Sequence, residues 1–313
     1  MALKQTRQLF LTPLLIALIL QVTSSCATLS KEQLKSIETF STACDNFSLY
    51  PSLLFTEIAD VRLERGKFYA ASLNDAQNRI DELNALHKAH EQDLLLAAKY
   101  DASLKILQSY SNALNLLVSD NRSKTRGTEF RSLGRTLDSL IIEVNTLKIF
   151  TDALPTGIAK SAATIVAYGA ENLLKVKQHR LTRAFVSEAD TLIQVLVTSL
   201  VQTLQDPKVA VMIENEKSAL PANYKSFLLS RENTPVDPQF DNQYLELLDR
   251  CEQFTYSRGY TTSAAKRLAK THRELALSLK KGKNIGELIA QLSKLIADIE
   301  MLQKQYNKII SLT

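Results

Sequence analysis

Apolar residues along this chain recur at spacings of three and four, and almost nowhere at two. That rhythm belongs to a helix with one stripe turned to a core, whereas a strand would alternate. The last segment carries it most plainly, through Ile285, Leu288, Ile289, Leu292, Leu295, Ile296, Ile299, Leu302, Tyr306 and Ile309. Asn284, with Glu287 three residues on, marks its start. A far longer pattern covers Leu53 to Val118, with a break expected at Gly66. Its seam reads Leu73, Ala76, Ile80, Leu83, then Leu94, Ala97, Leu104, Leu107 and Leu114, as in packed antiparallel or coiled helices.

Punctuation between these patterns fixes the remaining elements. Ser30 and Gln33 form a capping box, with Leu29 and Leu34 placed as its hydrophobic staple. Tyr50-Pro51 breaks the first helix, and the polar stretch Ser119–Thr128 reads as a connection. A helix is expected over Glu129–Ala153, stopping at Leu154-Pro155-Thr156-Gly157. Small residues dominate Ala159–Ala170, a basic run follows at Lys175, Lys177, His179, Arg180 and Arg183, and Leu192–Leu204 is apolar again. Asp206-Pro207 can cap and open a new helix. Arg231–Gln239, with Pro235 and Pro238, is the clearest interior linker; helices are expected to about Tyr256 and over Tyr260–Lys281. The pattern predicts an all-α protein, an elongated multi-helix bundle with long, partly coiled-coil-like helices. It is one domain, or two packed halves joined near residues 231–239.

Composition supports this picture: 313 residues hold only 8 Gly and 7 Pro, and 45% are hydrophobic. Turns and strands need more of the first two. With no Trp, a carbohydrate-stacking or aromatic-cage site is disfavoured.

The N-terminus departs from the helical rhythm. Lys4 and Arg7 precede an apolar run, Leu9 to Val22, interrupted by Pro13. About 20 apolar residues are needed to span a bilayer, so this shorter run fits a signal-peptide core better than a permanent anchor. Thr23-Ser24-Ser25-Cys26 follows. This stretch resembles the lipobox of bacterial lipoproteins, with Thr23 where leucine is commonest. The resemblance implies removal of residues 1–25 by signal peptidase II and lipidation of Cys26. It also implies a mature chain 26–313 held to a membrane, the outer membrane of a diderm envelope given Ala27 after the cysteine. Without Lys4 and Arg7 the mature chain has 36 basic and 33 acidic residues, a net charge of +3. That is too weak for a nucleic-acid footprint, and no nucleic-acid partner is expected.

Two cysteines remain, Cys44 and Cys251. An even pair in an exported protein raises a disulfide, while buried free thiols on apolar stripes are the alternative. His87 and His90 share a helix face, but no His-Glu-x-x-His or Glu-x-x-His pair supplies further ligands, so neither metal nor other cofactor is expected. The residues Ala159–Ala170 suit close helix packing, with a membrane hairpin alongside Leu192–Leu204 as the competing reading. The basic run could meet anionic headgroups or simply end a helix. No Gly-x-Ser-x-Gly elbow, ordered triad or phosphate loop appears. The expectation is a non-enzymatic, membrane-anchored scaffold or interaction protein of the cell envelope, with an envelope protein as partner. A ligand-, lipid- or metal-binding module with a cavity around Ala162–Gly169 is the alternative, and an enzyme acting on envelope polymers a third.

Overall fold

The computed structural model describes residues 28–119, 126–157, 175–232, 234–281 and 284–310. Among these residues every regular element is an α-helix. In chain order they are α1 (Lys31–Ser48), α2 (Pro51–Ser72), α3 (Ala76–Val118), α4 (Arg126–Leu147), α5 (Lys175–Gln205), α6 (Pro207–Leu229), α7 (Pro238–Lys281) and α8 (Ile285–Ile310).

Two helices set the scale. α3 has 43 residues and α7 has 44, so each is about 65 Å long at 1.5 Å per residue. Between them α1 and α2 run end to end in the opposite direction. Against α7, the Gln33 amide donates to the Ser278 carbonyl at 3.1 Å, Phe40 meets His272 edge-on, Arg250 meets Glu57 at 2.8 Å, and Gln243 donates to Glu64 at 3.0 Å. Against α3, Ser41 and Ser111 exchange hydrogen bonds, Phe55 stacks on Tyr100, and Asp60 meets His90. α5, α6 and α8 all lie against α7, which is the spine of the bundle. One hydrophobic cluster draws on every described helix, on both sides of the 231–239 linker.

Local chemistry explains the boundaries. Ser30 Oγ accepts from the Gln33 N–H at 3.1 Å while Gln33 Oε1 accepts from the Ser30 N–H at 3.0 Å, the expected capping box. Pro51 opens α2, and Asp206 caps α6 through the Lys208 N–H at 2.8 Å with Pro207 at its first position.

Four expectations need correction. Gly66 does not break the long helix; the break falls at residues 73–75, where Asp75 caps α3 through the Asn78 N–H. Gly66 instead admits the δ-methyls of Leu86, which a Cβ there would strike. α4 ends at Leu147, not Ala153, because Lys148 turns left-handed (φ 50°). The segment beyond is held by Asn145, whose side-chain amide both donates to and accepts from the backbone of Leu154. α7 is unbroken through residues 256–260, where a Cβ on Gly259 would meet nothing within 4 Å. Finally, the seam of α3 holds only in its second half: Ala97, Leu104, Leu107 and Leu114 are buried, but Ile80 and Leu83 are 52% and 39% exposed, and polar contacts of His90 and Asp93 face α2. Apolar spacing alone misplaced the first part of the stripe because charged pairs occupy that part of the seam.

Candidate functional site

The described chain begins on a joint that no sequence pattern announced. The Leu29 N–H donates to Nδ1 of His179 at 2.8 Å, and Arg183 Nη2 donates to the Thr28 carbonyl at 3.1 Å. Leu29 and His179 are both buried. The capping box then starts α1 at once, and Gln33 reaches across to α7. Two residues of the basic run thus bind the backbone just after the proposed cleavage point. The partners lie 150 residues apart, so periodicity could not connect them.

Cys26 itself, the small-residue stretch 159–170 and the cavity expected around Ala162–Gly169 lie outside the described residues. The apolar stretch Leu192–Leu204 lies within α5, which is long and apolar enough to cross a membrane. It turns Leu192, Ile193, Leu196, Val197, Leu200 and Leu204 into the bundle core instead.

Cys44 and Cys251 are both free and buried; the staple between them is not formed. They lie in different settings. Burial pushes the Cys44 thiol well up, with the Asp45 charge adding. Cys251 is raised to about 12, by burial first and then by Glu216. Neither thiol is a poised nucleophile. His87 is exposed and lies 3.6 Å from Glu91 one turn on, while His90 bonds Asp60 at 2.7 Å. The two histidines point to different partners, and among the described residues no three His, Cys, Asp or Glu side chains converge.

The core holds one polar constellation that sequence reading missed. Tyr110 Oη meets His272 Nε2 at 2.7 Å, and His272 Nδ1 meets Asp190 at 2.8 Å. Gln194 donates to the same carboxylate at 3.2 Å and to the Ala269 carbonyl at 2.7 Å. Burial holds the His272 pKa below its ordinary 6.5, against the pull of Asp190. Burial alone would raise Asp190, but the His272 and Gln194 hydrogen bonds and the nearby Arg273 bring it below its usual value. The consistent state is an ionised Asp190 accepting from the Nδ1–H of a neutral His272, whose Nε2 accepts the Tyr110 proton. Tyr, His and Asp in series mimic a catalytic relay. Tyr110 and His272 are wholly buried, however, beneath Phe40 and Phe185, so no substrate reaches them. The relay ties α3, α5 and α7 together.

A second polar group surrounds α2. Glu216 of α6 is 1% exposed and lies between Arg62, at 2.9 Å, and Arg65. Arg62 also reaches Asp93 of α3 at 2.6 Å.

The class these features define is an all-α multi-helix bundle. No family model matches the chain, and no curated protein or solved structure matches it.

Proposed function

We propose that this protein is a lipid-anchored scaffold or interaction protein of the bacterial cell envelope, tethered through Cys26. The observation that carries the reading is the joint at Thr28–Leu29. Two residues after Cys26 the backbone is bonded to Arg183, and three residues after it to His179. Two residues span at most about 7 Å, so acyl chains on Cys26 would leave the anchor end of the bundle at the membrane surface. The spine α7 extends about 66 Å from that end, which sets the radius within which a partner would be met.

A scaffold acts by placing its surface, so anchorage and partner capture belong together. In-cell crosslinking of the full-length chain, compared with Cys26→Ala, tests this. A defined envelope protein captured by the anchored form and absent from the variant is the expected result. Equal capture by both forms, or capture of nothing specific, would count against the scaffold role.

A further inference from the structure

A cleft of about 380 Å³ opens on the flank of the bundle, within the range of small-ligand sites. It lies where the Asp206-Pro207 turn between α5 and α6 faces α2, α3 and the 149–151 segment. Its inner wall is apolar: Phe55, Leu96, Tyr100, Ile149, Phe150 and Met212. Phe55 and Tyr100 are stacked with centroids 4.5 Å apart and planes 15° from parallel. Polar groups gather along one side, namely Ser199, Gln202, Thr203 and Asp206.

We propose that this cleft binds an uncharged aromatic amphiphile, a flat apolar body carrying a hydroxyl, amide or arylamine head. Charge selects the class. The rim holds one carboxylate, Asp206, and one ammonium, Lys208, and Asp206 already accepts the Lys208 N–H at the α6 cap. Among the described residues the lining holds no cluster of cations for a phosphate or sulfate, and no second carboxylate for a divalent ion. The aromatic and thioether wall takes a flat ring by stacking and dispersion. Thr203 and the Asp206 charge both act on the Tyr100 hydroxyl, which sets that hydroxyl on the polar side of the cleft, toward the Asp206 turn.

The test is a fluorescence titration of the purified full-length chain with N-phenyl-1-naphthylamine, uncharged and with one N–H. Its counterpart is 8-anilino-1-naphthalenesulfonate, a similar aromatic body bearing an anion. The proposal expects saturable binding of the neutral probe near one per chain, and binding of the sulfonate at least tenfold weaker. Leu96→Glu, at a partly exposed wall position, should weaken the neutral probe at least tenfold without changing helicity. Thr151→Arg, at the mouth and outside every helix, gives the same readout without touching a helix. Ile289→Glu on the exposed side of α8 should bind like the parent. Absence of saturable binding, equal affinity for the two probes, or unchanged affinity in folded Leu96→Glu and Thr151→Arg would overturn it.

Discussion

His272 occupies a position where an aliphatic residue would pack, and it is kept by two hydrogen-bonding partners, one on each ring nitrogen. The ring donates to Asp190 and accepts from Tyr110, so both nitrogens are satisfied in the neutral state. That arrangement has a pH signature. Because burial lowers the folded pKa below 6.5, the unfolded chain takes up a proton below that pH more readily than the folded one. Stability is therefore full above pH 6.5 and is lost as pH falls beneath it. His272→Phe should flatten this slope in urea unfolding followed from pH 7.5 to 5.5. It should also cost about 1–3 kcal/mol at pH 7.5, because the buried Tyr110 hydroxyl loses its partner. A slope unchanged by the substitution would show that the ring does not carry the effect. None of this was legible in the sequence, where His272 sits in Lys-Thr-His-Arg-Glu and reads as one more polar helix residue. His179 was hidden in the same way, inside a basic run whose ordinary reading was a solvated helix end. Hydrogen bonds that join residues 82 or 150 positions apart leave no local trace.

At the level of elements, the caps were legible and the seams only in part. Ser30, Pro51 and Asp206-Pro207 act through neighbours within three residues, so their chemistry is written locally. The first part of the α3 seam departs from the apolar spacing because α2 meets its neighbours through charge as well as through apolar contact. From α2, Glu57 faces α7, Asp60 faces α3, Arg62 faces α3 and α6, and Arg65 faces α6. Such pairs fix the rotation and register of a helix that apolar side chains alone would leave loose. Glu216 is the most buried of them, and two guanidiniums depend on it. Glu216→Ala should destabilise the fold by about 3–5 kcal/mol, since it leaves the partly buried Arg65 without its carboxylate and Arg62 with Asp93 alone. The urea midpoint should fall with little change in slope. Glu91→Ala, which removes only the exposed partner of His87, should leave the midpoint where it was. Equal effects from the two substitutions would mean that the α2 charges are surface decoration.

On the scale of the whole molecule, the all-α class and the elongated bundle followed from periodicity and from scarce glycine and proline. Length was underestimated, since Tyr256 to Tyr260 looked like a stop and α7 runs straight through it. The outcome is a bundle with a long spine and a defined end. At that end Thr28 and Leu29 are tied to α5, Gln33 to the last turns of α7, and Cys26 lies two residues upstream. At the other end of α7, Tyr224, Phe227, Phe240 and Tyr244 form an aromatic cluster. A lipid at Cys26 would make the two ends unequal, one held at the membrane and one presented to the envelope. The measurement that tests this most directly is the mass of the N-terminal peptide of the protein recovered from the membranes of expressing bacteria. The account predicts a chain beginning at Cys26 and carrying diacylglycerol, with Cys26→Ala missing from the membrane fraction. An unmodified cysteine, or a chain that retains residues 1–25, would contradict it.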